Sequence, residues 1–471
     1  MQVLFLASEI FPYAKTGGLA DVAYSLPRSL EALGVKILRA MPLYQKVPRE
    51  GLVPLERSVQ VRLNGRFYTF RLFRKDDHFF FEQPELYDRP YIYGPPGGSY
   101  PDNDLRFGGF CWAVAEALGA GLLSADLIHA NDWQTALYPV LHQEIYRFPQ
   151  PVLFTIHNLA FQGMFERESL VRLELPWSLY HMEALEFWGK INLLKGAIVF
   201  SDAVTTVSRT YAQEILTYEY AYGLEGVLYK HRHKLYGILN GIDYQLWNPE
   251  TDPYIYENYS LRDPSGKEAN KQAMLEELGV AAFFAEKPLF CFINRLSHQK
   301  GVEIILSALA DLSRLNAFFI FLGEGEYGPR FYRLDRRYPN MFAQIVFDEA
   351  WSHKVYAAAD YILVPSVFEP CGITQLIAMR YGTLVVARRT GGLADTLVDV
   401  SYPGGYGFLF PDPIREDLLC GVKRAAELYN THPKHFQKLR QRVMRLDFSW
   451  ERSAKAYLRL YRQLLKRKKT C

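Results

Sequence analysis

Short apolar runs alternate with segments of helical spacing along most of the chain. Near-continuous apolar runs of this kind are typical of buried parallel strands, because helices cover both faces of such a sheet. Residues 19–33 and 301–312 are examples of this helical spacing. The pattern predicts an α/β protein whose main strands are 3–8, 35–41, 126–132, 151–158, 203–208, 288–294, 317–323, 343–347, 361–366 and 383–387.

Two segments depart from this alternation. Residues 58–74 read as a β-hairpin, since Asn64-Gly65 is the dipeptide that two-residue hairpin turns favour. Residues 84–104 are rich in Pro, Gly, Tyr and Asp and predict a long surface loop.

A polar, turn-rich stretch at 240–266 interrupts the pattern, which then restarts. It predicts an N-terminal Rossmann-like domain over 1–244 and a second Rossmann-like domain over 245–450. Residues 451–471 are expected to form a C-terminal helix. Its apolar stripe must be buried, so we expect this helix to cross back to the first domain. The stripe comprises Trp450, Ala454, Tyr457, Leu458, Tyr461, Leu464 and Leu465.

Composition narrows the class of protein. The chain has 471 residues, 49% of them hydrophobic, and a net charge of +3, which is too small to indicate a nucleic-acid or membrane partner. The five cysteines are scattered without paired spacing, and no targeting or spanning segment is visible. We therefore expect a cytoplasmic globular protein.

The hexapeptide TGGLAD occurs twice, at 16–21 and 390–395. Each copy follows an apolar run, precedes a helical segment and has a basic neighbour, Lys15 or Arg389. Backbone N–H groups at a helix N-terminus suit an anion. The repeat suggests an anion site in each of two similar lobes, but the two copies need not be equivalent. We expect the first copy, with Lys15, to contact the anion directly, whereas the second, with Arg389, either binds a ligand or only shapes the wall of the cleft.

Ligands of doubly wound sheets bind at the carboxyl ends of the strands. We therefore expect the polar residues that follow the apolar runs to line a cleft between the two lobes. In the first lobe these are Lys15, His129, Asn131, Asp132, His157 and Asn158; in the second they are Asn294, Arg295, Lys300, Glu369, Cys371, Gly372, Thr374 and Arg389.

Each of these candidates has an ordinary structural alternative. Arg295 and Lys300 together suit a diphosphate leaving group, but could be solvated loop cations. Glu369 can accept hydrogen bonds from sugar hydroxyls, or be a charge favoured at a helix start. His157 could be purely structural, and Asp132 could be a helix N-cap.

Three further features suggest other chemistry. GEGEYG at 323–328 matches a dinucleotide fingerprint and would support an NAD-dependent oxidoreductase, although it follows the second strand of its lobe. Asp102 and Asp104 resemble a carboxylate pair for a metal, but turn chemistry explains them as well. Cys371 could be a nucleophile, but no feature of the sequence assigns it a base, so packing or a backbone contact is the favoured interpretation.

Seven motifs together resemble those of glycosyltransferase family 5, the bacterial glycogen synthases and plant starch synthases. They are KTGGLADV (15–22), HANDW (129–133), HN (157–158), NGID (240–243), NRLSHQKG (294–301), VPSVFEPCG (364–372) and RRTGGLAD (388–395). The resemblance implies a GT-B fold, with two Rossmann-like doubly wound domains facing across a deep cleft. It implies retaining transfer of glucose from ADP-glucose to the non-reducing end of an α-1,4-glucan (glycogen or a malto-oligosaccharide), without metal or cofactor.

The resemblance also implies roles for individual residues. Lys15 and Gly18 would contact the diphosphate, and Arg295 and Lys300 would stabilise the departing ADP. Glucose would be held by Glu369, His157 and Asn240, with Asp21 and Asp132 lining the sugar or acceptor site. The remaining implied contacts are the amides of Cys371, Gly372 and Thr374 to glucose and phosphate, and Phe347 as the adenine-stacking residue.

No carboxylate is identifiable as a nucleophile, so we expect a front-face substitution. A UDP-glucose-dependent glucan synthase is the nearest alternative to this interpretation. Sucrose synthases and glucan phosphorylases are disfavoured by KTGGLAD. A catalytically silent glucan-binding protein is disfavoured by the combination of Lys15, Arg295, Lys300 and Glu369.

Overall fold

The computed structural model describes residues 1–346 and 348–470. The chain forms two compact units. The first comprises Met1–Leu239 and the C-terminal segment from Trp450, and the second comprises Asn240–Ser449. These boundaries, at 239/240 and 449/450, lie close to the 244/245 and 450/451 of the sequence interpretation.

A ten-stranded mixed sheet forms the centre of the first unit, in the order β13-β12-β8-β7-β1-β2-β6-β5-β3, with β4 paired to β5. The strands from β13 to β6 run parallel, whereas β3, β4 and β5 form an antiparallel edge. Their bounds are β1 Gln2–Leu6, β2 Lys36–Pro42, β3 Val53–Pro54, β4 Val59–Leu63, β5 Arg66–Lys75, β6 His78–Glu82, β7 Leu127–Asn131, β8 Val152–Ile156, β12 Ala203–Thr206 and β13 Leu235–Gly237.

The predicted hairpin is confirmed: β4 and β5 pair with Leu63 opposite Arg66, and Asn64-Gly65 forms the turn. A separate three-stranded antiparallel sheet, in the order β10-β11-β9, was not predicted. Its strands are too short to show a periodic pattern. They are β9 Met164–Glu166, β10 Glu186–Phe187 and β11 Lys190–Asn192.

Helices cover this sheet, and the C-terminal helix, Trp450–Thr470, is one of them. Its apolar stripe is buried in the core of the first unit, with Trp450, Ala454, Tyr457 and Tyr461 each at most 5% exposed. The other helices of the unit are α1 Gly18–Glu31, α2 Pro84–Tyr87, α3 Asn103–Gly119, α4 Leu137–Val140, α5 Ser169–Arg172, α6 Leu193–Phe200, α7 Arg209–Glu214 and α8 Glu225–Lys230.

The second unit has a six-stranded, wholly parallel sheet in the order β16-β15-β14-β17-β18-β19. Counted within the unit this is 3-2-1-4-5-6, the dinucleotide-binding order, and the order reverses between β14 and β17. Ligands of such sheets bind at that reversal. The strands are β14 Leu289–Ile293, β15 Phe318–Leu322, β16 Met341–Gln344, β17 Tyr361–Val364, β18 Leu384–Arg388 and β19 Phe408–Phe410.

The helices of the second unit are α9 Ser265–Glu277, α10 Val302–Leu312, α11 Leu334–Arg337, α12 Glu349–Ala358, α13 Thr374–Arg380, α14 Gly391–Thr396, α15 Arg415–Thr431 and α16 Pro433–Met444.

One expectation for the first unit is wrong: residues 84–104 are not a continuous loop, because they contain α2 and the start of α3. Among the helices of the described residues, none combines the length and apolar character needed to cross a bilayer.

Candidate active site

The loop between β1 and α1 is organised by a buried carboxylate, Glu9, which is 3% exposed. Its oxygens accept hydrogen bonds from the Thr16 amide and hydroxyl and, at 3.0 Å, from the Tyr93 hydroxyl. Burial raises the pKa of Glu9. These bonds fix the approach to α1, where a Cβ added to Gly17 would meet open space. The first TGGLAD copy therefore leaves room for a ligand beside its backbone.

Lys15 stands at the start of the same helix. Its Nζ lies 2.8 Å from Oδ1 of Asp21, in the first turn of α1, and both side chains are 38% exposed. Two of the candidate residues are thus brought together, with Gly18 as the first residue of the helix between them. An exposed ion pair of this kind is weak, so an anionic ligand can compete for Lys15.

Asp132 and His157 are also brought together, at the ends of β7 and β8. The Asp132 carboxylate accepts hydrogen bonds from the backbone amide of His157, at 2.7 Å, and from that of Asn158. It does not cap the short helical turn that follows it, as the N-cap interpretation expected. Burial raises the pKa of Asp132 to about 7, against the lowering effect of the two amides.

The His157 ring is neutral and has a defined tautomer. Burial lowers its pKa to about 3. Nε2 lies 3.0 Å from Oδ1 of Asn131, whose Nδ2 already donates to the Leu6 carbonyl. Nε2 must therefore carry the proton, which leaves Nδ1 as an acceptor. A sugar hydroxyl is a donor that such a nitrogen can bind.

His129, named with these residues in the sequence analysis, has a structural role instead. Its ring is fully buried, with Nδ1 2.7 Å from the Tyr461 hydroxyl and Nε2 2.6 Å from the Thr155 hydroxyl. Burial lowers the pKa of His129 well below its usual value. Both ring nitrogens are occupied within the core, so His129 has no atom available for substrate.

In the second unit, Lys300 and Glu369 meet at the reversal of strand order. Lys300 Nζ lies 2.6 Å from Glu369 Oε2, and the Ser366 hydroxyl donates to the same oxygen at 2.9 Å. Gly301, at φ 71°, turns the chain after Lys300 so closely that an added Cβ would lie 2.0 Å from the Pro365 carbonyl oxygen. The loop after β14 is therefore packed against the loop after β17.

Arg295 is exposed in the loop after β14, and the GEGEYG segment supports that loop. Leu296 N donates to Glu324 O at 2.7 Å. Added Cβ atoms at Gly323 and Gly325 would lie 1.9 Å and 2.4 Å from the Asn294 and Leu296 carbonyl oxygens. These glycines are explained by packing, and only a four-residue 3-10 turn begins at the last glycine, where a dinucleotide fingerprint needs a helix. The NAD alternative is contradicted.

The EPCG segment leads from β17 into α13. Burial raises the pKa of the Cys371 thiol to about 12, so Cys371 is not a nucleophile. The Asn240 backbone N–H donates to that thiol. Gly372 takes the left-handed conformation, at φ 72°, and the hydroxyl of Thr374 bonds to Tyr356. Asn240 is 4% exposed, and its buried Oδ1 has no hydrogen-bond partner among the described residues.

The second TGGLAD copy supports the EPCG segment. Gly392 N donates to the Glu369 carbonyl at 3.0 Å, and an added Cβ at Gly392 would lie 1.8 Å from the Cys371 carbonyl oxygen. The two copies are therefore packed differently, and the ligand role of each copy stays a prediction. The first copy has open space beside Gly17, whereas the second is filled by the neighbouring backbone. Arg389 is exposed beside it.

The Asp102 and Asp104 carboxylates are engaged in ion pairs. Asp102 forms a two-bond pair with Arg89 at 2.6 and 2.7 Å, and Asp104 lies 3.2 Å from Arg172. Within residues 1–346 and 348–470, no group of three or more His, Cys, Asp or Glu side chains is suited to a metal ion. Phe347, the expected adenine-stacking residue, lies outside the described residues.

Sequence reasoning missed three residues that support candidate residues: Glu9 and Tyr93 in the first unit, and Ser366 in the second. Glu9 could have been found, because it is a charged residue directly after the first apolar run. Tyr93 could not, since it is brought to Glu9 from a segment 84 residues away.

Comparison with known proteins identifies the family. Two protein-family models match the chain. The family model of the starch synthase catalytic domain matches residues 2–230, and the family model of glycosyl transferases group 1 matches residues 276–442. The glycogen synthase of Aquifex aeolicus is 52% identical over 464 residues, which cover 98% of this chain and 99% of that protein. The chain belongs to the bacterial glycogen synthase and starch synthase family.

Other relatives agree with this assignment. A glycogen synthase of Koribacter versatilis is 40% identical, covering 98% of both chains. The catalytic domain of starch synthase IV from Arabidopsis thaliana, solved with ADP and acarbose, superimposes with a TM-score of 0.90 at 33% identity, covering 98% of this chain and 99% of that one. A sucrose-phosphate synthase from Thermosynechococcus elongatus, at 19% identity and a TM-score of 0.63, shares the fold.

The protein is therefore a GT-B hexosyltransferase of the glycogen synthase family. Its reaction takes a glucosyl unit from a nucleotide-sugar donor and adds it to a glucan acceptor.

Proposed function

We propose that the donor is ADP-glucose and that glucose is transferred, with retention at the anomeric carbon, to the non-reducing end of an α-1,4-glucan. The observation that carries this proposal is the Lys300–Glu369 pair at the reversal of strand order, with Arg295 on the same loop as Lys300. It supplies both a cation for the leaving group and a carboxylate for the sugar.

The cations act on the leaving diphosphate. As the bond from the anomeric carbon to the diphosphate oxygen breaks, negative charge collects on that oxygen, and fixed positive groups stabilise it. Arg295 provides a planar fork and Lys300 a point charge. Lys15 and the α1 start at Gly18 are assigned to the same diphosphate, because the backbone beside Gly17 is open.

The sugar contacts follow from unpaired acceptors. Nδ1 of His157 and the buried Oδ1 of Asn240 can each accept a hydrogen bond from a glucose hydroxyl. Glu369 keeps its second oxygen for another hydroxyl, and the amides of Cys371, Gly372 and Thr374 are assigned to glucose and phosphate oxygens. Asp21 and Asp132 are assigned to the sugar or acceptor side.

Retention is assigned to a front-face substitution. The acceptor hydroxyl attacks from the side that the diphosphate leaves, and a diphosphate oxygen takes the hydroxyl proton. The new glycosidic bond then has the configuration of the broken one. This route needs no enzymic nucleophile, in keeping with the raised pKa of Cys371.

ADP-glucose is proposed over UDP-glucose because a similar starch synthase domain was solved with ADP. The base-stacking role of Phe347 stays a prediction.

A cytoplasmic location is proposed from the cysteines, because Cys111, Cys291, Cys371 and Cys420 are all free.

The test is transfer of radiolabelled glucose to glycogen from ADP-glucose and from UDP-glucose in parallel. We expect kcat/KM to favour ADP-glucose, and the anomeric configuration of the product to match the donor in NMR spectra. Preference for UDP-glucose would overturn the donor assignment alone. An inverted product would overturn the front-face route.

A further inference from the structure

An exposed tryptophan stands at the tip of the small three-stranded sheet. Trp188 and Gly189 are the two turn residues of the β10–β11 hairpin, in which Phe187 pairs with Lys190. Trp188 is 82% exposed, more than any other tryptophan among the exposed residues of the first unit. A large apolar ring in full contact with water is costly, so its presence at a hairpin tip calls for an explanation.

The backbone at this tip makes the choice of tryptophan more unusual. Trp188 and Gly189 have φ values of 54° and 78°, so both take the left-handed conformation of a type I′ turn. The same chain uses the favoured pair at the other I′ turn, where Asn64 and Gly65 have φ values of 49° and 77°. Bulky residues rarely adopt this conformation. Neither local propensity nor burial therefore explains Trp188.

A second aromatic residue in the left-handed conformation lies beside it. Tyr222 has φ 52° and is 45% exposed, and it precedes Gly223. The position of a Cβ added to Gly223 would be 3.6 Å from Trp188 Nε1 and 3.1 Å from the Phe187 ring. Two strained, exposed aromatic residues thus come from separate segments to one place on the surface.

Tyr180 connects this place on the surface to a further exposed aromatic ring. The Tyr180 hydroxyl donates to the Gly189 carbonyl at 2.9 Å, and the rings of Tyr180 and Trp177 lie 5.8 Å apart in an edge-to-face contact. Trp177 is 59% exposed. We call Trp177, Tyr180, Trp188 and Tyr222 the aromatic patch. Its rings all combine an apolar face with a polar N–H or O–H group.

The aromatic patch is joined to the loop that carries His157. Gln162, five residues after His157, donates from Nε2 to the Tyr222 carbonyl at 3.2 Å. Its Oε1 accepts from Nδ2 of Asn192 in β11, at 2.6 Å, and Gln162 is 5% exposed. A buried amide therefore fixes both strained segments relative to the proposed sugar site.

We propose that the aromatic patch binds the glucan acceptor at sugar units remote from the end that reacts. The C–H faces of glucose rings stack on aromatic rings, and the N–H and O–H groups of Trp and Tyr bond to sugar hydroxyls. A long polymer whose end is held near His157 can reach a surface that is continuous with the same loop. The proposal rests on the proposed function, which supplies the glucan.

The strained turn allows a test that separates binding from folding. Trp188→Asn replaces the ring with the residue that Asn64 shows to be suited to this turn, and Tyr222→Asn does the same beside Gly223. We expect both variants to keep or raise Tm, while the dissociation constant for glycogen, measured by affinity electrophoresis, rises roughly fivefold or more. The apparent KM for glycogen should rise similarly, with the KM for the nucleotide sugar unchanged.

Phe67→Ala is the matched control, because Phe67 is 70% exposed on β5 in the same unit but has ordinary strand geometry. It should bind glycogen like the wild type. Unchanged glycogen affinity in both Asn variants would overturn the proposal, as would a fall in Tm that accounts for the loss. Conversion of a wild-type dimer to monomers, seen by light scattering, would assign the patch to a second copy instead and also overturn it.

The same experiment keeps the two proposals apart. Wild-type protein that transfers no glucose to glycogen contradicts the proposed function. Wild-type protein that transfers glucose normally, alongside Asn variants with normal glycogen affinity, contradicts the aromatic patch only.

Discussion

The Nζ atom of Lys300 lies 2.6 Å from Oε2 of Glu369, and the two side chains are only 14% and 6% exposed. The pair joins the loop after β14 to the loop after β17, at the point where ligands bind in sheets of this order. Glu369 therefore holds the Lys300 ammonium in place in the absence of substrate. In the reaction proposed above, this would lower the cost of orienting Lys300.

Replacement of Lys300 should act mainly on turnover. We expect Lys300→Ala to lower kcat by an amount equal to roughly 2–4 kcal/mol in the activation barrier, since a fixed charge near the departing oxygen is lost. Steady-state kinetics with ADP-glucose and glycogen would measure it. Lys300→Arg is the control that keeps the charge and should lose less. Unchanged turnover in Lys300→Ala would remove this residue from the mechanism.

The two glycine motifs should respond differently to a methyl group. Gly392→Ala places a Cβ 1.8 Å from the Cys371 carbonyl oxygen, so we expect unfolding in urea to show a loss of about 1–3 kcal/mol in stability. Gly17→Ala meets open space at an extended backbone and should leave stability nearly unchanged. Its kcat/KM for ADP-glucose should nevertheless fall roughly 10- to 100-fold, because the diphosphate can no longer approach.

The opposite pattern, a destabilised Gly17→Ala with normal catalysis after correction for folded protein, would contradict the assignment of the first motif to the ligand. Normal stability of Gly392→Ala would contradict the packing role of the second.

Asp132 and His157 should make opposing contributions to the pH dependence of stability. The folded pKa of Asp132, about 7, is above its usual 3.8, so its contribution to the free energy of unfolding is present at low pH and lost as pH rises between these values. The folded pKa of His157, about 3, is below its usual 6.5, so its contribution is lost as pH falls through that window.

Single variants separate the two effects. Relative to the wild type, Asp132→Asn should become more stable as pH rises from about 4 to about 7, and His157→Gln should become less stable over the same range. Urea unfolding at several pH values would measure both differences. If neither variant's difference in unfolding free energy from the wild type changed with pH, burial would not disfavour the charged forms of Asp132 and His157, which would contradict this prediction.

The reaction of each cysteine thiol with an alkylating reagent should depend on how exposed the thiol is. Burial raises the pKa of Cys371 to about 12, whereas Cys420 is exposed. We expect iodoacetamide to modify Cys420 but not Cys371 in the folded protein, with no loss of transfer activity, as measured by mass spectrometry and assay. Activity lost in step with Cys371 labelling would restore that thiol to the reaction.

Much of the site could be predicted because local sequence determines where a strand ends. Five candidate residues follow buried strands: Asp132 and His157 in the first unit, and Arg295, Lys300 and Glu369 in the second. In each unit, the topology of its own sheet brings such positions to one edge.

What sequence could not reveal depends on distant partners. In the sequence, His129 resembles the neighbouring candidate residues. In the structure, its Nδ1 forms a hydrogen bond with Tyr461, which is 332 positions later in the chain. Gly323, Gly325 and Gly392 lie in segments that resemble ligand motifs, yet these glycines are required by carbonyl groups from other loops. The small sheet that carries Trp188 has strands of two or three residues, which show no period.

The C-terminal helix has a consequence for the order in which the two units are completed during synthesis. The first unit combines Met1–Leu239 with the segment that begins at Trp450, and its core includes Tyr461 against His129. A ribosome completes residues 240–449 before the last structural piece of the first unit emerges. Until then, the core of the first unit lacks Trp450, Tyr457 and Tyr461, so the first unit to be started is the last to be completed.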